Sequence, residues 1–172
     1  MSASEPLVIL GIDPGTCITG YGVLSHCHKK QVALGYGCIR PPKKSILSER
    51  YRILFEGIET LIQTYQPHVL VVETQFVNKN VQSAMKLGMA RGMAILAASR
   101  KKIPIYEYAP KKAKLAVVGN GSASKAQVQK MVQLLLNLSA IPEPEDAADA
   151  LALALCHANS LHQLSSLQGT IL

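Results

Sequence analysis

An α/β fold, a mixed five-stranded sheet covered by helices, is what the order of patterned segments predicts. Three observations carry it. Three short Val/Ile/Leu-rich runs separated by polar or glycine breaks come first; two isolated apolar runs follow, each flanked by stretches of helical periodicity; and the remainder of the chain is helical in pattern. The first three runs predict antiparallel strands and the isolated two predict parallel ones, because a strand that returns through a helix re-enters the sheet in the same direction.

LVILGID at 7–13, GYGVLSH at 20–26 and QVALGYGCIR at 31–40 read as an antiparallel meander. His26, Cys27 and His28 fall between the last two runs beside Lys29 and Lys30; such a Cys/His tract suits a metal, but its position favours a solvated hairpin turn. After PPKK at 41–44, Tyr51, Leu54, Phe55, Ile58, Leu61, Ile62 and Tyr65 recur at helical spacing up to Pro67 and predict one amphipathic helix. VLVVE at 69–73 is a continuous apolar run of the kind that forms a strand buried on both faces, and it ends on Glu73. A second helix is predicted from about 81 to 99. Its Gly88 and Gly92 form G-x-x-x-G, which in a chain of this kind favours close backbone packing over a dimer face. IPIYEY at 103–108 predicts a strand, and PKKAKLAVVG at 110–119 a short basic helix with its apolar side inward. Ser124 is placed to cap a helix with Val128, Met131, Val132 and Leu135 on one face, and Pro142 and Pro144 introduce a last helix from about 145 to 161. The polar tail after about 161 is expected to fray, and residues 1–172 read as one domain.

Composition narrows the function. The 172 residues are 48% hydrophobic, enough for a sizeable core, and the 17% charged fraction argues against disorder. Eighteen Lys and Arg against eleven Asp and Glu give a net charge of +7, which suits a polyanionic partner such as nucleic acid. Neither the opening residues nor the apolar run at 147–156, interrupted by Asp149, has the pattern of a signal peptide or a spanning helix, so no membrane is expected. Cys17, Cys27, Cys38 and Cys156 lack C-x-x-C pairing and lie in apolar surroundings; buried free thiols in a reducing cytoplasm are the expectation.

The acids are the informative residues. Only Asp13, Asp146 and Asp149 are aspartates, and each sits beside apolar sequence. Asp13 and Glu73 each close a strand-like run, and the carboxyl ends of strands with parallel neighbours form the crevice where ligands bind. Asp146 and Asp149, three apart, share one face in the first turn of the last helix, where the helix dipole tolerates negative charge. The apolar ALALALCHA behind them requires that helix to be packed on the domain. Singly, Asp13 before Pro14 and Gly15 suits a turn cap, and the helical pair suits ordinary first-turn acids. Together the four carboxylates would converge, and such a cluster calls for oxygen-loving divalent cations, Mg²⁺ or Mn²⁺ in preference to Zn²⁺.

GIDPGT at 11–16 with TGYGV at 19–23, VVETQFVNKN at 71–80, SAMKLGMARG at 83–92, YEYAPKKAKLAVVGNGSASK at 106–125 and EDAADALALALCH at 145–157 together resemble the RuvC family of Holliday junction resolvases, in the family's order and over about nine-tenths of the chain. The resemblance implies a ribonuclease H-like fold with the first and fourth strands side by side. It also implies that Asp13, Glu73, Asp146 and Asp149 are the catalytic, metal-binding carboxylates. It places Phe76 against a base at the junction centre, Lys79 beside it on the DNA, and Lys114 and Lys125 near the scissile phosphate and the DNA backbone. Thr74 stands where the family often carries Gln and Pro110 where it often carries Ala; neither change removes a ligand.

The activity so implied is Mg²⁺-dependent endonucleolytic resolution of four-way DNA junctions. Two ions per site, with Mn²⁺ able to substitute, would support phosphodiester hydrolysis giving 5′-phosphate and 3′-hydroxyl ends. Paired nicks need two sites, so a homodimer is expected, with the helix at 81–99 as the candidate interface. The resemblance adds the RuvA and RuvB branch-migration proteins as partners. GIDPGT also resembles the first phosphate loop of the actin and sugar-kinase superfamily, but the chain lacks a repeated second phosphate loop. A non-catalytic DNA-binding module and a ribonuclease H acting on hybrids remain as rivals, separable by metal-dependent nicking and by substrate comparison.

Overall fold

The computed structural model describes residues 5–28, 30–74, 80–161 and 170–171. Strand β1 (Leu7–Asp13), built from the apolar run LVILGID, lies inside the sheet. It pairs antiparallel with β2 (Thr19–Cys27), and β2 pairs antiparallel with β3 (Lys30–Ile39). On its other side β1 pairs parallel with β4 (Val69–Glu73), reached through helix α1 (Leu47–Tyr65). Helix α2 (Val81–Arg100) then leads to β5 (Ile105–Tyr108), parallel to β4. The expected meander and parallel pair are therefore present, with the first and fourth strands adjacent.

Helices α3 (Pro110–Val118), α4 (Lys125–Leu135) and α5 (Glu145–Ser160) complete the cover. The sequence reading stops at five strands; a two-residue strand, β6 (Thr170–Ile171), adds an antiparallel sixth beside β5, in the order β3-β2-β1-β4-β5-β6.

Strand alternation sorts the core into two layers. Ile9, Leu24, Val69, Val71 and Tyr108 pack on the side of α3, α4 and α5. Leu10, Ile12, Val23, Leu70, Val72 and Ile105 pack on the side of α1 and α2. The same period of two carries Asp13 after Ile9 and Glu73 after Val71 onto the α5 side, at the ends of neighbouring strands. Tyr108 ties α5 to β5, with its hydroxyl 2.9 Å from His157 Nδ1 and 3.0 Å from Ser160 Oγ.

Several expectations are corrected. Helix α1 starts at Leu47, a turn before the first periodic residue. The strand β2 runs on to Cys27, so His26 is a buried strand residue and only His28 is exposed; the tract is not a solvated turn throughout. Leu135 is exposed and Leu136, the C-cap of α4, is buried instead: it continues the i, i+4 row of Val128 and Val132, and its amide still bonds the Val132 carbonyl at 3.1 Å. The cysteines are free, but Cys17 is exposed, Cys27 and Cys38 are half-buried, and only Cys156 is buried. Among the described residues nothing packs closely on G-x-x-x-G: Gly88 is exposed, and a Cβ at Gly92 would meet nothing within 4 Å.

Candidate active site

The last helix owes its position to missing side chains. A Cβ on Gly11 would lie 2.1 Å from the carbonyl oxygen of Ala150, and one on Gly20 would lie 2.0 Å from that of Asp146. Gly20 is the register partner of Asp13. Glycine at these strand positions lets the α5 backbone rest on the sheet, which brings the start of α5 down beside the end of β1. The turn after Asp13 is stapled by Thr19, whose buried hydroxyl donates to the Gly15 carbonyl at 2.7 Å and accepts from the Gly15 amide at 3.1 Å.

Asp13, Glu73 and Asp149 open onto one cavity of about 230 Å³, together with Lys114 and Lys125. Burial, then the charges of Glu73, Asp149 and Asp146, push Asp13 from its ordinary 3.8 up to about 8, with Lys125 opposing. Glu73 is pushed up to about 7 by burial and then by Asp149, against the pull of Lys114 and Lys125. Asp149 is also raised, by burial first, although Lys125 and Lys114 lower it. Lys125 Nζ sits 3.5 Å from Asp149 Oδ2 and 3.4 Å from Glu145 Oε2. Desolvation lowers the ammonium, but Asp149 and Glu145 outweigh that and leave it raised. Lys114 donates to the Ala123 carbonyl at 2.9 Å, which fixes it across the cavity against the loop before α4.

Each sequence-predicted acid is accounted for. Three share the cavity, and Asp146 stands at its margin in the first turn of α5, close enough to act on Asp13, Asp149 and Cys38 through its charge. Phe76 and Lys79 lie outside the described residues. Sequence reasoning missed Thr19, Glu145 and the spacing role of Gly11 and Gly20, although glycine inside strand runs is a recognised sign of close backbone approach.

Chemically, the donors are hard oxygens that repel one another in a half-desolvated site. That set fits a divalent cation of the Mg²⁺ type. Among the described residues no group of three or more His, Cys, Asp or Glu side chains forms a ready-made cage. Mg²⁺ does not need one, since it commonly takes one or two carboxylates and fills its octahedron with water and phosphate oxygens.

Comparison with known proteins gives a consistent picture. The family described as crossover junction endodeoxyribonuclease RuvC matches residues 9–157. A crossover junction endodeoxyribonuclease RuvC from Protochlamydia amoebophila is 65% identical over 155 residues, covering 90% of this chain and 92% of the relative. One from Desulfitobacterium hafniense is 44% identical over 165 residues, covering 96% and 100%. The structure of Thermus thermophilus RuvC in complex with Holliday junction substrate superposes with a TM-score of 0.87 at 31% identity, covering 95% of this chain and 99% of the other.

Proposed function

The chain belongs to the RuvC family of crossover junction endodeoxyribonucleases, and from that premise we propose how its own residues resolve a Holliday junction. It has the ribonuclease H-like architecture of its relatives, and its activity is endonucleolytic resolution of four-way DNA junctions in recombination and repair. The observation that carries the mechanism is the meeting of Asp13, Glu73 and Asp149 with Lys114 and Lys125 in one cavity at the ends of β1 and β4.

Asp13, Glu73, Asp146 and Asp149 would hold two Mg²⁺ ions, whose chemistry when bound is to activate a water and to offset charge on the leaving 3′ oxygen. Asp13, Glu73 and Asp149 hold their protons more tightly than free carboxylates, so cation binding would release protons from them. Lys125, paired with Asp149, and Lys114, anchored on the Ala123 carbonyl, both line the cavity where the phosphoryl oxygens would lie. Both neutralise charge that grows in the transition state. Phe76 stacks on a base at the junction centre and Lys79 contacts the backbone beside it. The net charge of +7 draws DNA to an acidic hole in a basic surround.

Two symmetric nicks call for two sites, and the outer face of α2 supports a homodimer. Val81, Met85, Met89 and Leu96 are exposed along it, with open space at Gly92. The chain acts as one nuclease domain per protomer, in the cytoplasm, with RuvA and RuvB delivering the junction. No helix among the described residues is long and apolar enough to cross a membrane.

The deciding assay incubates the protein with a synthetic four-way junction, a linear duplex and an RNA:DNA hybrid, each with Mg²⁺ or with chelator. Paired, ligatable nicks confined to the junction and to Mg²⁺ or Mn²⁺ are expected. Equal cutting of hybrid or duplex, or nicking in chelator, would overturn the reading.

A further inference from the structure

The inner side of helix α2 meets the end of the sheet at Arg91. The Arg91 side chain is only 20% exposed; its Nε donates to the main-chain carbonyl of Glu73 at 3.2 Å, and its terminal nitrogen pairs with the Glu107 carboxylate. Glu107 alternates with Tyr106 and Tyr108, which face α5, so it stands on the α2 side of the sheet, in register with Val72. Three elements thus meet at one guanidinium: α2, the end of β4 and the end of β5.

Glu73 needs such a support. The ladder from β1 to β4 stops at Val72, and the ladder from β4 to β5 stops at Glu73, so the residue carrying the carboxylate is the last rung. Just beyond it the Thr74 amide donates to the Tyr108 carbonyl at 2.9 Å. A guanidinium offers donors in fixed directions from one plane, which allows it to grip a carbonyl and a carboxylate at once; an ammonium does not impose that geometry. A partly buried ion pair adds little net stability once desolvation is counted, so its chief effect here is to fix position.

We propose that Arg91, held in place by Glu107, is a positioning residue for Glu73, setting the height and tilt of the peptide from which that carboxylate enters the cavity. The inference rests on the reading of Glu73 as a metal ligand. It concerns ion binding before any DNA is present, and can therefore be tested apart from cleavage.

The test titrates the full chain with Mn²⁺, without DNA, and follows free Mn²⁺ by electron paramagnetic resonance. Wild type, Arg91→Lys and Glu107→Gln are compared, each also in a Glu73→Gln background, with melting temperature and junction-cleavage kinetics measured alongside. Arg91→Lys is expected to weaken Mn²⁺ binding and lower kcat by about ten-fold each, the usual scale for a residue supporting a ligand. KM for the junction should stay within about two-fold, because substrate contacts are untouched. In the Glu73→Gln background the same substitution should cost no further Mn²⁺ affinity, since the group it positions is gone. Glu107→Gln, which keeps the side-chain shape, should reproduce a smaller loss and serves if Arg91→Lys does not fold. Unchanged Mn²⁺ affinity in both variants, or an equal loss in both backgrounds, would make Arg91 a packing residue and overturn the inference while leaving the site reading intact. A wild-type chain that binds no Mn²⁺ would remove Glu73 as a ligand, and this inference with it.

Discussion

Replacing Asp13 by Asn should stabilise the metal-free protein while abolishing its activity, and the gain should depend on pH in a defined way. The folded protein holds Asp13 protonated up to about 8, whereas the unfolded chain releases that proton near 3.8. Between those values the folded state binds more protons, so stability falls as pH rises through the window. Asn, fixed in the neutral form, escapes that loss. Each unit of separation is worth about 1.4 kcal/mol, so the advantage of Asp13→Asn should be near zero at pH 4, about 3 kcal/mol at pH 6 and about 5 kcal/mol at pH 8. For a chain of this length, about 3 kcal/mol corresponds to roughly 6–12 °C in melting temperature. Urea unfolding of both proteins in chelator at those pH values is the measurement. Adding Mg²⁺ should then stabilise the wild type far more than the variant, because only the wild type retains the full ligand set. An advantage that stays flat across pH, or a variant less stable at pH 8, would refute the argument that burial and neighbouring carboxylates load this site with repulsion.

Gly11→Ala should lift α5 off the sheet, because the new methyl would sit 2.1 Å from the Ala150 carbonyl. A stability loss of about 3 kcal/mol is expected from overpacking, together with loss of cleavage as Asp149 moves from Asp13; a variant that melts and cuts like wild type would contradict the account of the glycine track. Met89→Glu, on the outer face of α2 where the side chain is 51% exposed, should leave a monomer at concentrations where the wild type is a dimer, as read by sedimentation velocity. An unchanged sedimentation coefficient would place the interface elsewhere.

What the sequence discloses about this fold, and what it hides, follows from the range over which each signal acts. The ends of β1 and β4 were legible because a hydrophobic run that stops on an acid is a local event, and strand alternation then fixes the face on which Asp13 and Glu73 emerge. The α4 cap was legible for the same reason: Ser124 and Gln127 form a capping box within a single turn. Rotation of a helix about its own axis is not local. Spacing of three put Asp146 and Asp149 on one face, but how α5 sits on Gly11 and Gly20 decides that Asp149 lines the cavity and Asp146 stands at its margin. Leu136 is buried in place of Leu135 because spacings of three and four from Val132 both suit a helix face, and only the rotation of α4 on the sheet selects the second.

G-x-x-x-G shows the limit most directly, since small residues report that a backbone is accessible without saying to what. Among the described residues nothing approaches Gly92, whereas Arg91 beside it points inward to Glu73 and Glu107. One helix therefore carries an outward apolar face and, at Arg91, an inward contact with the main-chain carbonyl of Glu73 and the carboxylate of Glu107. In the proposed homodimer, a shift of α2 on docking would act through Arg91 on the peptide of Glu73.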